Sequence, residues 1–445
     1  MARGVPLSRL RAVLLLLVVA IAIGLLTSVT TRTVAAQLLV DSMKIDDLQR
    51  AIAWDPRNPE FHFRLGMAEL SGAAGDPATA MASLRRAIQL HPDRARYWLG
   101  LADGCAVVGD TVCAAQAYER ATQLAPMRPS MEWEAATFYA AFGQKERSVS
   151  HLRRLLALDP SSADGVFQLT WRAYEDPAMV WKELVAPSRN MTVRCAYLEF
   201  LGERKRFDLT APYWAELIAD TQRQLPTFAE VKPYLQLLLR AQQYEQAVAV
   251  WRDLLRQDVV LPGSDAERLA AVRSPLRTVS GNLLYNANFD RPILNAGFDW
   301  QTRQESYVVL ELYARTMVGD AGSHGHAGLR IDFTVPHNSE HEPIYEFVPV
   351  TPGKRYLLRG LMRSEDITSD SGPRLRVVDP LRPQELDAAT DGVTGTTGWH
   401  EVSVAFTAGE SPVVRISVWR PRSRTFPMDI NGRAWVGDLR LQAIQ

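Results

Sequence analysis

The sequence predicts a multidomain chain in which an N-terminal transmembrane helix leads into an all-α solenoid and then an all-β jelly-roll sandwich. Three observations predict it. A long uncharged apolar stretch lies near the start, prolines recur at a nearly constant interval through the first half, and helical periodicity gives way to alternation near residue 280. The boundaries that follow are 1–36 for a cytoplasmic tip and anchor, 37–257 for the helical array, 258–280 for a linker and 281–445 for the sandwich.

The apolar stretch comes first. Arg3, Arg9 and Arg11 precede Ala12–Thr31, which carries no charge. Twenty residues at helical rise span about 30 Å, the thickness of a bilayer's hydrocarbon core. Positive charge before the span and only Arg32 close after it keeps the N-terminus cytoplasmic and the rest of the chain outside. The localisation expected is therefore the inner membrane, crossed once, with the bulk of the chain periplasmic. A cleaved signal peptide is the competing reading, because Val34-Ala35-Ala36 offers small residues to a peptidase. Lysine plus arginine (50) equals aspartate plus glutamate (50), so no net field draws the chain to nucleic acid.

The array is legible from its prolines. Pro56, Pro92, Pro126 and Pro160 are spaced 36, 34 and 34 residues apart, each closing a helical run: AIAWDP, AIQLHP, ATQLAP, LLALDP. Proline has no N–H to donate and clashes with the preceding turn, so it stops a helix. In the second repeat Trp98 and Leu101 mark the first helix and Ala114, Tyr118 and Ala121 the second, with Ala114 allowing close approach and Tyr118 filling the gap between hairpins. Over Ile45 to Trp171 this pattern resembles the tetratricopeptide repeat, which implies stacked helical hairpins with a concave face for extended peptides or partner helices. The repeat names no partner, and the array is either a spacer and scaffold or, as expected here, the seat of an envelope protein. Beyond Trp171 the register blurs, although Arg194–Arg204, Ala211–Arg223 and Val231–Arg256 still read as helices. Cys105 and Cys113 flank the turn Gly109-Asp110 symmetrically, so they are either a disulfide between facing helices or two small buried residues. Cys195 is left as a buried thiol.

Alternation defines the sandwich. Strands are expected at Tyr307–Tyr313, Leu329–Phe333, Ile344–Val350, Arg355–Arg363, Leu375–Asp379, Glu401–Phe406, Val413–Arg420 and Ala434–Leu441. Three stretches, NLLYNANFD, VPVTPGKRYLLRGLMRSE and GRAWVGDLRL, resemble the opening, central and closing strands of galactose-binding-like jelly rolls, the carbohydrate-binding modules of secreted bacterial proteins. The resemblance implies a polysaccharide ligand and, in some members, a structural calcium joining the opening strand to the closing one. Asp290 and Asp438 stand at the matching positions, with Gly437 where a further aspartate is common. Apart from that calcium, no cofactor is expected.

The ligand residues expected are those that alternate away from apolar neighbours: Tyr307, Glu311, Arg359, Arg376, Arg415 and Trp419. On one sheet face they would form a groove of arginine forks, a glutamate and aromatic rings, a combination suited to sugar hydroxyls and C–H faces. A solvated face carrying cross-strand ion pairs is the other reading. Trp399 and Trp435 are expected in the core. No nucleophile elbow, phosphate loop or HExxH occurs, and no catalytic residue is assigned. Glu311 and Glu346 are the carboxylates a glycan hydrolase or lyase would need, with neighbouring arginines expected to keep both ionised. The function expected is a non-catalytic periplasmic scaffold with a glycan-binding module. Resemblance to repeat proteins that accompany bacterial polysaccharide assembly implies a role in exopolysaccharide or O-antigen production. A cell-envelope scaffold whose sandwich binds protein is the alternative.

Overall fold

The computed structural model describes residues 14–24, 27, 44–72, 76–219, 226–257, 281–289, 291–303, 307–313 and 328–445. Residue contacts divide the chain into two compact units, Met1–Ser188 and Arg189–Gln445.

The first unit is a run of helical hairpins. Its helices are α1 (Ile45–Trp54), α2 (Pro59–Ser71), α3 (Pro77–Leu90), α4 (Ala95–Val107), α5 (Thr111–Leu124), α6 (Pro129–Ala141), α7 (Lys145–Leu158), α8 (Ala163–Tyr174) and α9 (Pro177–Val180), the last continuing into a π turn at Trp181–Val185. Pro56, Pro92, Pro126 and Pro160 each stand two residues beyond the end of α1, α3, α5 or α7. Helix starts are fixed by side-chain caps: Asn58, Asp76 and Asp110 accept first-turn N–H groups of α2, α3 and α5. Close packing between hairpins needs small residues. A Cβ at Gly100 would fall 2.7 Å from the Phe63 ring, and Ala114 is wholly buried. Tyr118 fills the next gap as expected, its ring 4.9 Å from that of Phe138 and its hydroxyl donating to Asp103 at 2.7 Å.

Cys105 and Cys113 form a disulfide across the α4–α5 turn, with Cα atoms 5.8 Å apart. Of the proposed membrane span Ala12–Thr31, residues 14–24 are helical and the remainder lies largely outside the described residues, as does Val34–Ala36. Among the described residues no helix is long and apolar enough to cross a membrane.

Among the described residues the second unit joins four helices to the sandwich. The helices are α10 (Met191–Glu203), α11 (Phe207–Ala219), α12 (Phe228–Arg240) and α13 (Tyr244–Gln257). The run Val231–Arg256 is thus two helices, parted at a turn where Gln242 has φ +59°. Among the described residues ten strands follow: β1 (Gln301–Thr302), β2 (Val308–Tyr313), β3 (Gly328–His337), β4 (His341–Pro349), β5 (Arg355–Ile367), β6 (Arg374–Val378), β7 (Asp387–Ala389), β8 (Gly395–Thr407), β9 (Val413–Arg420) and β10 (Ile430–Ala443). They make two antiparallel sheets, β1-β4-β9-β6-β7 and β2-β3-β10-β5-β8. Ile344, Val348, Val414, Ile416 and Val418 of the first sheet pack against Ile331, Leu358, Met362, Val436 and Leu441 of the second. All eight expected strands occur. The opening strand expected from Asn282 does not: residues 281–289 are turns.

The buried Arg420 staples the loops at one end of the sandwich. Its guanidinium donates to the carbonyls of Ser371, Ser339 and Met428 and to the side-chain oxygens of Asn338 and Ser369, all between 2.7 and 3.2 Å. Burial lowers its pKa.

The array expected through residue 257 is not grouped as a single body by its contacts, because α10–α13 belong with the sandwich. Trp251 of α13 lies 5.4 Å from the ring of Tyr285 and 5.6 Å from that of Phe298. Lys232 and Gln236 of α12 donate to the carbonyls of Leu294 and Asn295 at 3.4 and 2.9 Å. Gly297 makes the approach possible. Its φ is +62°, and a Cβ there would fall 2.9 Å from both Leu235 and Trp251. The linker 258–280 lies outside the described residues.

The cysteine arrangement makes a countable prediction. Cys195 is buried, and burial pushes its thiol up to about 12, so it resists alkylation in the folded chain. Native protein should take up no iodoacetamide, denatured unreduced protein one equivalent, and denatured reduced protein three, as read by intact mass. Three equivalents without reduction would contradict the Cys105–Cys113 bond.

Candidate ligand-binding face

Alternation along β9 sends Val414, Ile416 and Val418 into the core and Arg415, Ser417 and Trp419 outward. Register then fixes their neighbours. Tyr345 of β4 and Arg376 of β6 both stand opposite Ser417, Phe347 stands opposite Arg415, and Arg374 opposite Trp419. Tyr345 and Trp419 are therefore diagonal neighbours on adjacent strands, a separation of about 7–8 Å between backbones.

Two clusters occupy this face. In one, the Arg376 guanidinium lies 4.1 Å over the Trp419 ring and grips Asp387 of β7 with two bonds of 2.7 and 2.6 Å. The Trp419 indole N–H donates to Glu340 at 2.7 Å, and Glu340 also lies 3.6 Å from Arg376. In the other, Glu342 receives Arg303 at 3.0 Å and Arg415 at 3.3 Å. Both guanidiniums lie over the Tyr345 ring, at 4.9 and 5.9 Å. Hydrogen bonds from Arg376 hold Asp387 below the usual carboxylate range, and Asp387 raises Arg376 in return, so this pair stays charged at neutral pH. Guanidinium–ring contacts of this kind contribute about 0.5–2 kcal/mol each.

The six residues expected in one groove are split between two sheets. Arg376, Arg415 and Trp419 share the face just described, whereas Tyr307, Glu311 and Arg359 belong to β2, β5 and their flank in the second sheet. Glu311 pairs with Arg330, which also bonds Asp332 at 3.0 Å. Tyr307 packs on His337, with rings 4.3 Å apart. Alternation tells inside from outside but not which sheet a strand joins, and this fold deals strands to both sheets. Arg415 is ion-paired with Glu342, as the other reading of a face carrying ion pairs would have it. Trp435 is buried but points outward under Arg363, 4.7 Å away, and Trp399 is half-buried. Five contributors were missed by sequence reasoning: Arg303, Glu340, Glu342, Tyr345 and Asp387. Glu342 lies at a bulge between His341 and Ile344, which breaks the alternation that would have flagged it. Asp387 was missed for a different reason, since β7 is too short to show a period.

The carboxylates named for hydrolysis do not face one another. Glu311 is outward on the second sheet, while Glu346 points inward between Ile344 and Val348 and is 1% exposed. Among the described residues no arginine offsets the burial of Glu346. Burial raises its pKa well above the usual range, Asp299 adds to the rise, and a 2.8 Å bond from the Tyr285 N–H only partly offsets it. Asp299 is itself buried and pushed up to about 6. For the calcium proposal, Asp290 lies outside the described residues, and Asp438 sits at a bulge with φ +48°. Asn282 ties the opening segment to the closing strand, beside a 3.2 Å bond from the Leu283 N–H to the Leu441 carbonyl. The Asn282 side chain accepts from the Leu441 N–H at 3.0 Å and donates to the Leu439 carbonyl at 2.9 Å. Among the described residues no group of three or more His, Cys, Asp or Glu is placed to hold a metal.

Residues 61–104 match the family model described as tetratricopeptide repeat. No curated protein matches the chain. Among solved structures it is similar to the MamA protein, at 16% identity and TM-score 0.30 over 44% of this chain and 98% of that one. It is also similar to a structure titled "CBM4 structure and function", at 14% identity and TM-score 0.26 over 36% and 99%. A third is TmCBM61 in complex with β-1,4-galactotriose, at 15% identity and TM-score 0.25 over 37% and 100%.

The buried acids set a pH dependence. A carboxyl whose folded pKa lies above its unfolded value favours folding when protonated, so its contribution is fully present below about pH 4 and is lost as pH rises toward the folded value. Asp299→Asn should therefore gain stability on the parent between pH 4 and 6.5, by about 2–3 kcal/mol. Urea unfolding at both pH values checks this, and parallel stability curves would refute it.

Proposed function

We propose that this chain is a non-catalytic scaffold outside the cytoplasmic membrane, with a neutral polysaccharide bound on the outer face of β4, β9 and β6. The observation that carries the reading is the pairing of two half-exposed rings, Trp419 and Tyr345, with arginines at their faces and carboxylates at their edges. Rings offer C–H stacking, and charged groups around them bond hydroxyls. Charge favours a neutral sugar. Arg303, Arg376 and Arg415 are balanced by Glu340, Glu342 and Asp387, so none of these three cations is left over for a uronate. The apolar Ala12–Thr31 stretch supports a single membrane anchor with an extracytoplasmic body. The Cys105–Cys113 bond supports the same compartment, since disulfides persist where conditions are oxidising. The repeat array then supplies the contact with an envelope protein, and exopolysaccharide or O-antigen assembly is the process that would need both.

The test is glycan binding by the full chain in detergent. Trp419→Ala should weaken binding of a neutral polysaccharide tenfold or more, the value of a stacking platform worth about 1–3 kcal/mol. Glu311→Ala and Arg359→Ala, on the opposite sheet, should leave it unchanged. Loss of binding in the second pair alone would move the site to the other face. If the parent binds no glycan and captures an envelope protein through the sandwich, the protein-binding alternative stands instead.

A further inference from the structure

The proposed sugar face is not made by the sandwich alone. Outward-pointing residues at the Phe347 end of the first sheet ought to meet solvent, yet Val413 and Val378 are 0% and 2% exposed. Helix α13 lies along this end. Its Tyr244 ring is 5.5 Å from that of Phe347, and its hydroxyl is within electrostatic reach of Arg415, Asp379 and Tyr345. One turn further, Val248 lines a cleft of about 550 Å³ together with Pro349, Val350 and Pro412 of the sandwich. The helix is held there by Trp251, whose contacts with Tyr285 and Phe298 involve no residue of the sugar face.

The rows of that face run across the strands. One row runs Gln301, Tyr345, Ser417, Arg376 and Ala389, with Arg303 reaching over Tyr345 and Asp387, one row along opposite Val378, bonded to Arg376. Tyr244 lies beside the next row, Phe347 and Arg415, and so forms a side wall rather than an end stop. A ring of that size against Phe347 limits where the Arg415 side chain can go, and Arg415 shares Glu342 with Arg303 over Tyr345. Tyr244 is 4% exposed, too little for much direct contact with a ligand. Its effect must pass through Arg415 and Phe347.

We infer that the ligand face is composite, with Tyr244 of α13 as a positioning residue that holds the Arg415–Tyr345 side of the platform, so that glycan binding and docking of the helix stabilise one another. The inference rests on the glycan reading above. Linkage makes it reciprocal: whatever docking adds to affinity, ligand must add to docking. The final helix pair thereby registers whether the sandwich is occupied.

The probe is a set of neutral glycans (dextran, xylan and β-1,4-galactan, with their oligosaccharides) titrated against the full chain. Tyr244→Ala should raise Kd about tenfold, and Tyr244→Phe, which keeps the ring against Phe347, should restore it. Trp251→Ala, remote from the face, should also weaken binding. Hydrogen exchange of α13 amides should slow when the glycan bound most tightly is added. If Tyr244→Ala and Trp251→Ala bind like the parent while Trp419→Ala does not, the composite site is refuted and the platform survives. Unchanged exchange in α13 on saturation would refute the coupling. A parent that binds none of the probes would remove the glycan reading and this inference with it.

Discussion

The indole of Trp251, set between Tyr285 and Phe298, is the contact on which the arrangement of the second unit depends. A helical hairpin with one apolar stripe must bury it against something. Here Val250, Trp251 and Leu254 are buried, and the turn-rich segment opening the sandwich supplies part of the cover. Removing such a tryptophan from a packed site costs about 3–5 kcal/mol. Gly297 is the complementary requirement, since any side chain there would strike Leu235 and Trp251 and would also have to hold a left-handed backbone. The last helices are therefore bound to the sandwich by core packing rather than by a tether.

Inside the sandwich, polar groups are spent in two distinct ways. Arg420 is buried and bonded entirely to backbone carbonyls and neutral side chains, so it fixes three loops at once. Losing it would take a donor from five acceptors, of which Asn338 Oδ1, Ser369 Oγ and the Met428 carbonyl keep another, and each one left without a donor costs about 1–3 kcal/mol. Arg376 and Arg415 lie at the surface, where ion pairs alone contribute little. Their stacking on rings and their shared carboxylates nevertheless set them in fixed positions. A rigid, charge-balanced face presents hydroxyl partners without having to order them on binding, which is the economy of preorganisation.

Much of this was legible in the sequence, and the part that was not has physical causes. The four prolines located the helix ends because a missing donor acts locally. Alternation located eight strands and separated Val414, Ile416 and Val418 from Arg415, Ser417 and Trp419, because that too is local. Sheet membership is not local. It placed Glu311 and Arg359 on the opposite face from Trp419, and no periodicity within a strand carries that information. Glu342 was hidden by a bulge and Asp387 by a three-residue strand. The stripe on α13 fell in a run read as helix, whereas one of its partners, Tyr285, lay more than thirty residues away in a segment expected to be a strand.

The docking of α13 is the central claim, and breaking the covalent connection tests it most directly. A protease site placed between residues 258 and 280 of the full chain allows the linker to be cut after folding. The helical fragment and the sandwich should then elute together from a sizing column in native buffer and part only in denaturant, while Trp251→Ala should let them separate without it. Separation of the cut parent chain in native buffer would contradict the account.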